Sequence, residues 1–228
     1  MRNYKNIIFP LLSGFVGLLC LLLPHFSHSQ TLITKNFEFE DGVYLTLDAL
    51  QRNTPDYDWR DLKSNLAANP QTYMTQVEYM MEKSSGDTLA IDSVFAVCLG
   101  GIPFVRLSKE AISKELTTFA GLRVRGRYSF FTYEDVQTKM VPISAYNPIN
   151  GRPFRTAMVK REETVKYGKL MNFETGETVD FTKRNFLEII KDDKELTNSV
   201  KELEGKDIID KLFKCLLIYD DRHPIYVR

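Results

Sequence analysis

Histidine is scarce in this chain of 228 residues, and two of its three copies, His25 and His28, stand in an N-terminal stretch that reads as a leader. The rest of the chain keeps only His223, too few imidazoles for a multi-histidine metal centre or a mixed Cys–His zinc site. A nucleophile paired with histidine would have to use His223, which precedes Pro224 in a short tail where a surface or capping role fits better. Charge of one sign is lacking as well. Thirty Lys and Arg balance thirty Asp and Glu, so nothing in the composition suits a nucleic acid, whose binding depends on neutralising phosphates. No metal or other cofactor is expected. Cysteine is rare: Cys20 lies in the leader, and Cys98 and Cys215 sit in apolar runs. Such runs favour two buried thiols, although an oxidising compartment would permit a bridge.

The leader itself has the parts of an export signal: Arg2 and Lys5, an apolar run over residues 7–23, and the small residues Ser27 and Ser29 around His28 before Gln30. This pattern predicts cleavage after Ser29 and a periplasmic or extracellular protein. A retained anchor is the alternative, because the apolar run approaches the length of a short membrane span. Lipidation at Cys20 is disfavoured by Leu18 and Leu19, which stand where small residues belong. Residues 30–228 then remain, with 28 basic and 30 acidic side chains and a net charge of −2, enough chain for one domain with a real core.

The most informative stretch is DSVFAVCLGGIPFV, residues 92–105. Two apolar runs flank Gly100 and Gly101, and a two-residue Gly-Gly loop suits a type I′ turn because both central residues need positive φ. In the first strand Val94, Ala96 and Cys98 face one way and Phe95, Val97 and Leu99 the other. Neither face is polar, so this strand belongs inside a sheet, covered on both sides. Pro103 cannot donate to a ladder, which places the return strand at an edge or at a bulge near its start.

Upstream, residues 36–40 alternate as a short amphipathic strand. Residues 42–55, GVYLTLDALQRNTP, read as a strand, a short helix capped by Thr46, and a stop at Asn53 and Pro55. Trp59, Leu62 and Leu66 have helical i, i+3, i+7 spacing behind an Asp58 cap, and the lone tryptophan is assigned to the core. A strand over residues 72–81 and a turn at Gly86 lead into the central hairpin.

Downstream, residues 108–116 are expected to form a short helix, and residues 119–133 two strands hinged near Gly126. On them Arg123, Arg125 and Arg127 fall on one side, opposite Leu122, Val124, Tyr128 and Phe130. The stripe fits an anionic glycan or lipid head group, or simply a solvated sheet face whose long side chains cover apolar neighbours. Residues 139–162 hold Pro142, Pro148 and Pro153, the turn pair Asn150 and Gly151, and the cations Lys139, Arg152, Arg155, Lys160 and Arg161. They are expected to form a long basic loop, either a surface insertion or a binding loop. Residues 165–181 form a further hairpin around Gly176. Three helices follow: one capped by Thr182 with Phe186, Leu187 and Ile190 inward; one marked by Leu196, Val200 and Leu203; and one whose apolar face is Ile208, Ile209, Leu212, Cys215, Leu216 and Tyr219.

The fold class that follows is α+β: a mainly antiparallel sheet of hairpins and meander with C-terminal helices packed against it, in one domain over residues 30–228. Residues 36–135 form its β-rich part and residues 163–228 a hairpin plus helices. GVYLTLDALQRNTP, DSVFAVCLGGIPFV, GRYSFFTYED (residues 126–135), NFETGETVDFTKRNFLEIIKDDKEL (residues 172–196) and RHPIYVR (residues 222–228) resemble, in this order, a family of exported proteins of Bacteroidota-type bacteria whose function is unknown. The resemblance implies export and a single domain, and it carries over no catalytic or binding residue.

The favoured function is a non-enzymatic envelope module that binds a protein or surface glycan, through a sheet edge or residues 139–162. Arg123, Arg125, Arg127, Arg152, Arg155, Lys160 and Arg161 are the candidate binding residues, and a membrane enters only through an uncleaved leader. One alternative is a hydrolase using paired carboxylates, Asp192 with Asp193 or Asp220 with Asp221, a chemistry that needs neither histidine nor metal. Another is a carrier of a small apolar ligand between sheet and helices.

Overall fold

Local signals set the first elements. The computed structural model describes residues 31–34, 36–112 and 115–227; the leader, with Cys20, His25 and His28, lies outside the described residues. Strand β1 (Gly42–Tyr44) runs into helix α1 (Leu47–Gln51), where the Thr46 hydroxyl accepts the Ala49 N–H at 3.1 Å, the N-cap expected of it. Asn53, at φ +52°, ends the helix, and its side-chain oxygen accepts the Glu40 N–H at 2.8 Å.

Three expectations fail in this half. Residues 36–40 form no strand: Asn36 lies in a turn, and Phe37 and Phe39 both pack on one core cluster, their rings edge-on at 4.9 Å. Behind Asp58 a single 3-10 turn (Trp59–Asp61) gives way to strand β2 (Leu62–Asn69), not a helix. Leu62 and Leu66 are four apart, a spacing that shares a face in a strand as well as in a helix. Residues 108–112 form only a turn, closed by the Ala111 N–H on the Ser108 carbonyl at 3.0 Å.

The sheet continues with β3 (Met74–Glu82), β4 (Ala96–Leu99), β5 (Ile102–Arg106), β6 (Thr117–Val124), β7 (Tyr128–Tyr146), β8 (Pro153–Asn172) and β9 (Thr178–Asp180). All pairings are antiparallel, in the order β1-β4-β5-β6-β7-β8-β9, while β2 and β3 branch off the first half of β6. Gly100 and Gly101, at φ +60° and +72°, make the expected turn between β4 and β5. β4 lies inside the sheet between β1 and β5, with Ala96, Val97 and Cys98 wholly buried. Pro103 stands just beyond the residues of β5 that pair with β6, which resolves its missing N–H.

Helices α2 (Lys183–Ile189), α3 (Lys194–Lys201) and α4 (Ile208–Arg222) follow β9 as expected. Thr182 caps α2 through the Asn185 N–H at 3.2 Å, and Asp193 caps α3 through the Leu196 N–H at 2.9 Å. Their inward faces join Val124, Phe130, Leu170 and Phe181 of the sheet region in one buried cluster. Burying each large side chain is worth about 1.5–3 kcal/mol relative to exposure. Cys98 and Cys215 are unpaired and belong to different clusters. Among the described residues no helix is long and apolar enough to cross a membrane.

Residues 139–162 are not a loop. β7 and β8 pair continuously from Tyr128↔Asn172 to Tyr146↔Pro153, so only residues 147–152 connect strands. Beyond Phe131 and Lys169 each strand pairs with nothing but its mate among the described residues. The prolines that suggested a loop are tolerated here because each strand keeps one open edge.

Candidate functional site

Two-stranded ribbons need only cross-strand hydrogen bonds, so this one can leave the body with both faces in water. From Lys139 to Tyr146 it reaches roughly 25 Å further at about 3.4 Å per residue. Its base is fixed by the stacked rings of Tyr133 and Tyr167, 5.1 Å apart, by a hydrogen bond from Gln137 to the Tyr167 hydroxyl, and by the Lys139–Glu163 ion pair at 2.7 Å.

The apex is ordered by its asparagines. Asn147 Oδ1 accepts the Ile149 N–H at 2.9 Å, Asn150 Oδ1 accepts the Arg152 N–H at 3.0 Å, and Gly151 takes φ +64°. The turn presents Ile149 at 94% exposure, flanked by Tyr146 at 61% and Phe154 at 69%. Phe154 is the unmatched residue where the register jumps from Ala145↔Arg155 to Tyr146↔Pro153. Farther down, Met140, Ile143 and Met158 are also more than half exposed. Sequence reasoning found the cations of this segment but missed its apolar tip, whose signal was present: Tyr146, Ile149 and Phe154 crowd around an Asn-Gly turn.

The seven candidate basic residues fall into two groups that the fold keeps apart. Arg123 lies over the Tyr73 ring, 4.3 Å from its centre, and donates to Thr132 Oγ1 at 3.0 Å and the Thr72 carbonyl at 3.2 Å. Arg125 donates to the Phe37 carbonyl at 2.7 Å and the Gly101 carbonyl at 3.2 Å. Arg127 approaches Glu174 at 3.9 Å. These three brace neighbouring segments and do not stand out as a stripe. Arg152, Arg155, Lys160 and Arg161 are on the ribbon and make no ion pair with a described residue. Lys139 and its register partner Arg161 lie roughly 35 Å along the strand from Tyr128, eleven steps at about 3.3 Å each.

Three of the four paired carboxylates are engaged structurally, and the fourth, Asp221, is exposed beside the cleft that Asp220 borders. Asp192 accepts the Tyr219 hydroxyl at 3.1 Å, and Asp193, besides capping α3, pairs with Arg222 at 2.7 Å. His223 stacks on Tyr219 with ring centres 4.1 Å apart, and its Nδ1 meets the Tyr219 carbonyl at 2.9 Å, so it closes the end of α4. Asp220 accepts the Tyr128 N–H at 3.0 Å, while its Oδ2 is buried without a hydrogen-bond partner. Burial pushes its pKa up to about 7, against the pull of the Tyr128 and Arg127 N–H groups. Asp220 borders a cleft of 560 Å³ between α4, residues 32–34 and the β6–β7 turn. A shallower cleft of 1260 Å³ lies at the ribbon base, lined by Tyr133, Tyr167 and the Lys169–Asp180 pair. Leu170, Phe186, Ile190, Val200, Leu212 and Leu216, where the carrier reading would seat an apolar ligand, are all wholly buried in one cluster.

No known protein family, curated protein or solved structure matches this chain.

Proposed function

We propose that this is an exported envelope protein that acts by binding another envelope component, with the β7–β8 ribbon as its contact arm. Export rests on the pattern of residues 1–29. The observation that carries the arm is the set of large apolar side chains on the ribbon, Met140, Ile143, Tyr146, Ile149, Phe154 and Met158, all more than half exposed. Exposed apolar patches of this kind mark sites of interaction, and none of these side chains joins a buried cluster of the described residues. Binding is favoured over catalysis because Asp192, Asp193 and Asp220 are engaged in holding the helices together and to the sheet.

Crosslinking in intact producing cells tests this, comparing the natural chain with one in which residues 139–161 are replaced by Asn-Gly. The natural chain should crosslink through the ribbon to a dominant envelope component, and the shortened chain should lose that product. The same crosslinks from the shortened chain would remove the arm from the reading.

A further inference from the structure

Between residues 136 and 161 there is no Asp or Glu, and the five cations Lys139, Arg152, Arg155, Lys160 and Arg161 share this length with the exposed apolar side chains. The carboxylates of the ribbon, Glu134, Asp135, Glu162 and Glu163, all lie toward its base. We propose that the ribbon tip docks on the surface of an anionic phospholipid bilayer, with Ile149, Tyr146 and Phe154 entering the interface and Arg152 and Arg155 meeting the head groups. The proposal rests on the reading of the ribbon as a contact arm and names the surface that the arm engages.

Three features select a bilayer. The most exposed large apolar residue of those described is at the apex, Ile149 at 94%, where a tip-first approach would bury it first. Aromatic side chains with a polar edge settle at the head-group level, which suits Tyr146 just behind the apex. Cations near an anionic leaflet add attraction one by one, and Arg152 and Arg155, the two at the tip, have no Asp or Glu near them in sequence or register.

A second copy of the chain fits less well. Tip-to-tip contact would set Arg152 and Arg155 against their own copies. Side-by-side addition would need a free strand edge, and this ribbon carries Pro142 and Pro153 within its strands, a bulge at Phe154, and charged side chains, the devices that block such pairing. The mixed faces argue for insertion by the tip. Lys139, Val141, Ile143 and Ala145 alternate with Met140, Pro142 and Ser144, so neither face is apolar throughout and neither is wholly polar.

The test uses the unit Thr31–Arg228, which holds every buried cluster of the described residues within itself and is free of the apolar leader. It is sedimented with vesicles of phosphatidylcholine alone and of equal parts phosphatidylcholine and phosphatidylglycerol, with soluble dextran sulfate as competitor. Binding should require phosphatidylglycerol and weaken with salt. The double variant Arg152→Gln/Arg155→Gln should bind about 30-fold more weakly, the loss of two cations at their usual worth near such a surface. Ile149→Ser should weaken binding about tenfold or more, through lost apolar burial. All three side chains are exposed, so circular dichroism should show both variants folded.

No binding to the anionic vesicles overturns the proposal. Equal binding by Ile149→Ser overturns it too, and with full displacement by dextran sulfate it points to a soluble-polyanion site. A ribbon-dependent dimer in sedimentation, with no vesicle binding, assigns the tip to a second copy. If vesicles are not bound but ribbon crosslinks in cells persist, the contact arm stands and only the bilayer falls.

Discussion

The Asp220 carboxylate, in the last turn of α4, accepts the backbone N–H of Tyr128 at 3.0 Å, so one side chain ties the C-terminal helix to the start of the long ribbon strand. Gly126 is part of the same contact: a Cβ there would stand 2.4 Å from the Asp220 carboxyl carbon. Burial holds the Asp220 pKa up at about 7, against an ordinary 3.8. Between those values the folded protein keeps a proton that the unfolded chain has released. The contribution of Asp220 to stability is therefore complete below pH ~4 and is lost as pH rises through ~7. Asp220→Asn keeps an oxygen for the Tyr128 N–H and cannot ionise. Its unfolding free energy should be flatter than that of the natural chain from pH 5 to 8, and it should be the more stable form at pH 8, by an amount on the order of 1–3 kcal/mol. Urea titrations across this range check it; parallel curves for the two proteins would show that Asp220 does not titrate there.

Gly100 and Gly101 share left-handed backbone but differ in surroundings. A Cβ on Gly100 would meet nothing within 4 Å, whereas one on Gly101 would stand 2.8 Å from the Glu38 Cβ. Both N–H groups are held by Asp41, at 3.1 and 2.9 Å. Gly100→Ala should cost about 1–2 kcal/mol, the backbone term alone. Gly101→Ala should cost at least about 1 kcal/mol more, because the Glu38 segment must move. Equal midpoints of denaturation for the two variants would refute the steric difference.

Thr75 is wholly buried in β3, and its hydroxyl has no hydrogen-bond partner among the described residues. An unsatisfied buried hydroxyl costs stability that an apolar group of the same shape does not. Thr75→Val should therefore be neutral or stabilising by about 1 kcal/mol in thermal or urea unfolding. A loss larger than about 1 kcal/mol would mean that the hydroxyl has a partner.

The parts legible in the sequence were those fixed by a few neighbouring residues. Gly100-Gly101 forced a turn, Thr46 and Thr182 capped the helices that follow them, and Phe186, Leu212 and Leu216 repeated at helical spacing. The ribbon was illegible for the opposite reason. Its side chains are solvated on both faces, so Lys139 to Ser144 show no alternation that would betray a strand, while Pro142 and Pro153 carry the usual mark of a loop. Leu62 and Leu66 misled because a four-residue spacing serves helix and strand alike. Of the candidate site, the ribbon cations were found and their separation from Arg123, Arg125 and Arg127 was not, since that depends on how far β7 runs before it turns. Asp220 could be read only as half of a carboxylate pair; the N–H that it accepts belongs to Tyr128, 92 residues earlier in the chain.

The ribbon should be dispensable for folding. Among the described residues, β7 beyond Phe131 and β8 before Lys169 pair only with each other, and none of the outer apolar side chains belongs to a buried cluster. Replacing residues 139–161 by Asn-Gly, a pair that favours the tight turn of a hairpin, removes one exposed ion pair, Lys139–Glu163, and such pairs are worth about 0–1 kcal/mol. The unfolding free energy of the shortened chain should stay within about 1 kcal/mol of the natural one, and the buried aromatic signals in near-UV circular dichroism should be unchanged. A loss of several kcal/mol would mean that the outer ribbon supports the body, and the loss of crosslinks or vesicle binding on shortening could then no longer be assigned to the tip. With stability unchanged, any loss of binding on shortening belongs to the ribbon itself, and the single-residue change Ile149→Ser then tests the apex within it.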